Sequence, residues 1–307
     1  MSARTFRLRS LVPVAVLALS AILAGGATAA PAGFPLSLKA ANGTVTLTER
    51  PTRIVSLSPS ATQDLFAVGA GAQVVAVDSD STYPPQAPLT KLSAYTPSAE
   101  AIENYRPDLV VVGFDEDHIV AQLRSLHIAV LLEPAVANLD GVYAEIAQIG
   151  EATGHAAAAR RVVASMKRQI AVIVHSVRRP AKPLTVYHEL DQTYYSATSH
   201  TFIGQMYRLL GLENIADKAG GSNEYPQLSA EYIIASDPDL IVLADTVCCG
   251  QSEATVAARP GWDTIAAVKD GGVVAVNDSV ASQWGPRIVL FLRTVADAVR
   301  KLERTSG

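Results

Sequence analysis

Cysteine is nearly missing from this chain of 307 residues: the two that occur, Cys248 and Cys249, are adjacent. Neighbouring cysteines cannot cross-link distant segments. A vicinal disulfide or a free thiol pair on a loop is expected, ahead of an intermolecular bridge. A zinc site would need a second pair at ligand spacing. Histidine is sparse too, with none among residues 53–117. His118, His127, His155 and His175 fall on predicted helices or their ends, so a free transition-metal ligand is not expected. Enzyme signatures are lacking as well. There is no phosphate-binding P-loop, no G-x-G-x-x-G after a strand and no G-x-S-x-G elbow. No two acids stand out as a glycosidase pair. Ser58 and Ser60 read as a turn capping the next helix rather than as a nucleophile. No catalytic residue is assigned.

Positive charge is also in short supply. Residues 1–29 carry Arg4, Arg7 and Arg9, then an apolar stretch from Leu11 to Leu23, then Ala27-Thr28-Ala29. That order is a signal peptide with a small-x-small cleavage site, and the stretch is too short for a membrane span. Leu23-Ala24-Gly25-Gly26 matches a lipoprotein box except that Gly26 replaces the cysteine, so there is no thiol to acylate. The mature chain is expected to be extracytoplasmic, starting near Ala30. Of 25 Lys and Arg, 22 then remain against 29 acids, a net charge of −7. Nucleic-acid binding is not expected from such a chain.

What is present is an internal copy. SAEAIENYRPDLVVV at 98–112 aligns without a gap on SAEYIIASDPDLIVL at 229–243, with eight of fifteen positions identical. A spacing of 131 residues suits a duplicated lobe rather than a solenoid. Each copy reads as a Ser N-cap, a Glu in the first helical turn, a short helix, a Pro-Asp turn and an apolar strand. Strand and helix alternate around both copies, the pattern of parallel sheets covered by helices. Further strands are expected at 44–47, 53–58, 74–77, 128–132, 184–189, 194–197 and 273–276. Residues 154–178 hold no Pro and no internal Gly, and their apolar spacing suits one helix of about 24 residues. The predicted organisation is a signal peptide at 1–29, a lead-in at 30–52, an α/β lobe at 53–153, a connecting helix at 154–179 and a second α/β lobe at 180–307. The fold class is α/β, two related lobes with mostly parallel sheets joined by one long backbone helix. A cleft between lobes is where a ligand would bind.

Five segments carry a family resemblance: RIVSLSPSATQDLFAVGAGAQVVAVD at 53–78, TYPPQ at 82–86, LSAYTPSAEAIENYRPDLVVV at 92–112, YPQLSAEYIIASDPDLIVL at 225–243 and WGPRIVLFLRTVADAV at 284–299. Together they resemble the substrate-binding proteins of ABC importers of the cobalamin and iron-siderophore type, most nearly the cobalamin-binding members. The resemblance implies a stiff two-lobe binder, acting as a monomer with no intrinsic cofactor. It would deliver a cobalt corrinoid, or next a ferric siderophore or haem, to permease subunits. A scavenger of the same fold without a transporter, or a secreted two-lobe enzyme, are the alternatives.

The resemblance places ligand contacts at Tyr83, Tyr95, Tyr225 and near Trp284. Relatives often carry Trp where this chain has Tyr95 and Tyr225. Tyr194 and Tyr195 lie on a predicted loop at a sheet end, and Tyr195 and Arg287 complete the ligand-binding set. For each ring the alternative is a cap on a lobe core. Glu100 and Glu231, equivalent in the two copies, are the implied transporter-docking acids. His188, in His188-Glu189-Leu190-Asp191, is a candidate axial ligand to a chelated metal; strand alternation separates His188 from Glu189 and Asp191.

Overall fold

The computed structural model describes residues 33–179 and 182–305; the expected signal peptide and its cleavage site lie outside them, as does Pro180. A hairpin comes first, with β1 at Leu36–Ala40 and β2 at Gly43–Leu47. The first lobe follows as β3 Ile54–Leu57, α1 Pro59–Ala67, β4 Val74–Asp78, β5 Leu89–Leu92, α2 Ala99–Glu103, β6 Leu109–Val112, α3 Ile119–Ser125, β7 Ala129–Leu132 and α4 Leu139–Ala152. Helix α5, Ala156–His175, leads to the second lobe. That lobe comprises β8 Thr185–Glu189, α6 Phe202–Leu209, β9 Glu213–Asn214, α7 Ala216–Ala219, α8 Ala230–Ser236, β10 Leu240–Leu243, α9 Glu253–Ala257, α10 Ala266–Lys269, β11 Val273–Ala275, α11 Asp278–Ser282 and α12 Ile288–Thr305.

The sheets are ordered β5-β4-β3-β6-β7 and β9-β8-β10-β11, and every neighbouring pair in them is parallel. Parallel strands covered on both faces read as unbroken apolar runs. Accordingly, all residues of β3, β6 and β10 are buried.

The duplication has a structural cause that the side chains display. Asp108, just before β6, accepts hydrogen bonds from Thr52 N and Oγ1 and from Arg53 N at 2.7–2.9 Å. Asp239, just before β10, accepts from Thr185 N and Oγ1 at 2.8 and 2.9 Å. In each lobe the repeated Asp therefore clasps the start of the neighbouring central strand and sets its register. Ser98 and Ser229 cap α2 and α8 by accepting from Ala101 N and Tyr232 N. Ile102 and Ile233 are sealed in the two lobe cores.

Helix α5 has 20 residues, shorter at both ends than the spacing suggested. His155 precedes it, with Gly154 at φ +75° ending α4. At about 1.5 Å per residue it spans roughly 30 Å. It packs between α4 and α12. Gly150 of α4 meets Ala159 of α5 so closely that a Cβ on Gly150 would collide with the Ala159 methyl. One apolar cluster runs from Leu65 and Val111 in the first lobe, through Ile170 and Ile173 of α5, to Val242 and Phe291 in the second. Among the described residues no helix is long and apolar enough to cross a membrane.

Two sequence expectations fail locally. Residues 194–197 are not a strand: Tyr194 has φ +69°, Asp191 accepts from Thr193 N in a tight turn, and only Tyr195 bridges to Gln227. The alternating pattern there reflects a turn whose rings face opposite ways. The other is a single helix expected over 116–126: Asp117 and His118 have positive φ and split the span into a 3₁₀ turn and α3.

Candidate functional site

Ligands of open parallel sheets bind beyond the carboxyl ends of the strands. Here those ends carry the exposed rings. Among the described residues the large exposed aromatics are Tyr83, Tyr95, Phe114, Tyr195 and Tyr225. They lie on the segments following β4, β5, β6, β8 and β9 respectively. Tyr95 is 67% exposed and packs on Phe114, with ring centroids 5.4 Å apart. Phe114 went unnoticed in the sequence because it lies outside the quoted motifs; its position directly after β6 was the available signal.

The two carboxyl edges face one another. Arg287, at the start of α12, holds its guanidinium 4.0 Å from the Tyr83 ring centroid across the lobes, a cation–π contact. Its Nη1 donates to Ser279 Oγ at 3.3 Å. Gln63 of α1 donates to Gln283 of the second lobe. Gly285 lies against Asp64: a Cβ there would come within 3.4 Å of Asp64 Oδ1. The sequence-predicted Tyr83, Arg287 and Trp284 thus gather at the lobe junction. Tyr95 belongs to the first-lobe edge, and Tyr195 and Tyr225 to the second-lobe edge. Tyr195 and Tyr225 are joined through backbone pairing of the 195 and 227 segments, with Ser196 N donating to Pro226 O at 2.9 Å. Tyr194 is part of the core instead, stacked on Trp262 with Arg259 above both rings.

His188 is sealed in the core. Its ring has no exposure, Nδ1 lies 2.5 Å from Tyr207 Oη, and Phe291 meets it edge-on. Burial pushes its pKa down to about 3. It cannot reach a chelated metal in the cleft, and the axial-ligand expectation is withdrawn for that reason. Among the described residues no group of three or more His, Cys, Asp or Glu could hold a metal ion.

Two acidic constellations escaped the sequence. At the junction, Asp64 of α1, Glu133 after β7 and Glu145 of α4 are all buried, and neither carboxyl oxygen of Asp64 has a hydrogen-bond partner among the described residues. The Trp284 side chain lies against Glu145. Burial raises all three acids, Glu133 to about 8 and Glu145 to about 10; the Glu133 charge raises Asp64 further, and the Asp64 and Glu133 charges raise Glu145 further. At the second edge, Glu189 ends β8 and takes a bidentate pair from Arg259, 2.6 Å on each arm. Asp245, after β10, is fully buried beside it; burial, then the Glu189 charge, raise it to about 7. Arg259 also donates to Gln251 at 2.7 Å.

Glu100 and Glu231 are exposed, each at the second position of its capped helix. A hydrogen bond from its own backbone N–H, then one from Ser229, hold the Glu231 carboxyl below the usual range. A separate cavity of about 420 Å³, lined among others by Asn138, Arg179, Gln205 and Arg208, contains none of the cleft aromatics.

Two parallel-sheet lobes with a polar and aromatic cleft between their carboxyl edges, joined by one helix and a shared core, define a two-lobe solute-binding protein. The chain belongs to the periplasmic binding protein family, whose profile matches residues 54–280. It is 36% identical over 270 residues to a cobalamin-binding protein of Halobacterium salinarum, covering 84% of this chain and 72% of that one. It is 30% identical to an uncharacterised ABC transporter substrate-binding lipoprotein of Bacillus subtilis, covering 87% and 86%. Among solved structures, the periplasmic heme-binding protein RhuT from Roseiflexus sp. RS-1, in apo form, superposes with a TM-score of 0.71 at 27% identity, over 81% of this chain and 98% of that one. The family is one of binding proteins, not enzymes, and its place is outside the cytoplasm.

Proposed function

We propose that the protein captures a cobalt corrinoid and delivers it to the permease subunits of an ABC importer, as a monomer released from its signal peptide at Ala29. The carrying observation is that the large exposed aromatics of the described residues are confined to segments at the carboxyl edges of the two sheets. A corrinoid is a large disc with apolar faces and an amide fringe. Flat rings would grip the faces, and Arg287, Gln63 and Gln283 would serve the amides. The similarity to a cobalamin-binding protein supports this choice. The phenols of Tyr83, Tyr95, Tyr195 and Tyr225 also suit ferric ligands, which makes a ferric siderophore or haem the second reading; the heme-binding structural neighbour favours the latter.

Titration with cyanocobalamin, haemin and ferrichrome, followed by tryptophan fluorescence, tests the choice. Cyanocobalamin should bind tightest. A tighter haemin or ferrichrome complex would replace the corrinoid, and failure of all three would end the chelate reading. Tyr225→Ala should weaken the preferred complex about 5- to 150-fold, on the scale of 1–3 kcal/mol for a ring buried on a flat ligand. Tyr95→Ala should act in the same direction. Unchanged dissociation constants for both would remove the rings from the site.

Helix α5 and the core that runs through it should make the protein a stiff clamp. Closing the lobes would strain the α4–α5 crossing at Gly150 and the packing of α12. Small-angle scattering with and without cyanocobalamin should show the two lobes moving by less than about 2 Å. A contraction well beyond that would require a hinge within α5.

A further inference from the structure

We infer that the Cys248–Cys249 disulfide and Val247 form an apolar lip of the cleft that contacts the bound chelate. The inference rests on the metal-chelate reading above and names a contact which that reading leaves unassigned.

The two cysteines are bonded to each other. A bridge between neighbours closes almost no chain loop, so the entropic stabilisation that disulfides give by constraining the unfolded chain is largely unavailable to it. What it does is local: it fixes one peptide and presents two sulfurs. The segment bearing it, residues 244–252, follows β10 at the carboxyl edge of the second sheet, the edge that carries Tyr195 and Tyr225.

The segment is firmly held from behind. Asp278, the first residue of α11, accepts from Val247 N at 2.9 Å, Cys248 N at 2.8 Å and Thr246 Oγ1 at 3.1 Å. The Asp245 carbonyl accepts from Cys249 N and Gln251 N, both at 3.3 Å. Gln251 is tied in turn to Arg259 and so to Glu189. The neighbour of Asp278, Ser279, accepts from Arg287, whose guanidinium lies over Tyr83. An unbroken chain of contacts therefore links the disulfide loop to the inter-lobe wall.

Its outer face, by contrast, is bare. Val247 is 68% exposed and Cys248 is exposed, although both are apolar. A rigid, backbone-satisfied loop that leaves a valine and a disulfide in water costs little ordering entropy when a flat ligand covers it. Polarisable sulfur suits the conjugated rim of a macrocycle, as it suits aromatic rings.

The test compares the parent protein with C248S/C249S and, separately, Val247→Glu, titrated with cyanocobalamin and monitored by heat unfolding. The double serine variant should bind about 3- to 30-fold more weakly, the scale of one or two sulfur–ring contacts. Val247→Glu should weaken binding at least as much, with its melting temperature within a few degrees of the parent. Should the double serine variant misfold, Val247→Glu decides alone. Parent-like affinity in Val247→Glu overturns the contact, and a loss confined to the double serine variant would reduce the disulfide to a loop staple. If the parent itself takes up no cyanocobalamin, haemin or ferrichrome, the chelate reading fails and this inference falls with it; that result shows in the parent's own titration.

Discussion

Reversing both Glu100 and Glu231 to Lys should abolish uptake through the importer while leaving ligand affinity within about twofold. Both acids are exposed at the second position of capped helices, α2 and α8, that the duplication makes equivalent. The helix N-terminus favours each carboxylate, and Glu231 is held further in its ionised form by its own backbone N–H and Ser229. Neither acid has an ion pair within the described residues, so each is free to meet a cation on another protein. Two such charges, one per lobe, would match two permease subunits. Exposed acids of this kind contribute little to folding, so their reversal should lower stability only slightly. A single reversal should leave partial uptake, and docking should weaken with rising salt as exposed pairs are screened. Uptake of labelled cyanocobalamin in cells dependent on the plasmid-borne variant is the measurement. Normal uptake by the double reversal would show that docking uses another surface.

Much of the molecule was legible because its signals are local. The Ser caps, the Pro-Asp turns and the unbroken apolar runs of β6 and β10 each act within about fifteen residues, so the two lobes and their α/β class could be read directly. The repeated Asp could be seen as a repeat, but its clasp on Thr52 and Thr185 could not, since those partners lie 56 and 54 residues away. The same holds for the site. Tyr83, Tyr95 and Tyr225 stand in motifs, whereas Phe114 stands in none. Arg259, which organises Glu189, Gln251 and two rings, sits 70 residues from Glu189. His188 shows the reverse error: a strand histidine invites a metal role, but the tertiary fold closes α12 over it through Phe291. Short elements were lost as well. Strand β9 has only two residues, too few for any periodicity, and is defined by pairing to β8 alone.

The buried acids at the junction should make the protein lose stability as pH rises above neutrality. Glu133 is raised from 4.5 to about 8 and Glu145 from 4.5 to about 10, chiefly by burial, and Asp64 is raised by the same cause. In the folded protein these carboxyls hold protons that the unfolded chain has already released. Their stabilising contribution is complete below the unfolded value near 4.5 and is lost as pH rises through the folded values. The sign is thus opposite to that of a salt-bridged acid. Each titrating group can cost up to about 1.4 kcal/mol per pH unit, against a total stability on the order of 5–15 kcal/mol. Other groups confine the clean window. His188, lowered to about 3, makes stability rise with pH only up to the ordinary imidazole range, and Asp245 is spent by about 7. Tyrosines begin to ionise in the unfolded chain near 10. Between pH 7 and 9 the junction acids dominate, so urea unfolding should show a falling free energy over that span. Glu145→Gln removes one of the protons in question while keeping the shape of the side chain. It should flatten the decline by about one proton and leave the variant about 1–3 kcal/mol more stable than the parent at pH 9. A parent whose stability is level or rising from pH 7 to 9, or a variant with an unaltered slope, would show that these carboxyls are ionised in the folded state. The Trp284 side chain against Glu145 extends the expectation to the cleft: the tryptophan fluorescence of the folded parent should owe no change to Glu145 between pH 7 and 9 and should shift only as that carboxyl titrates near 10, a shift that Glu145→Gln should lack.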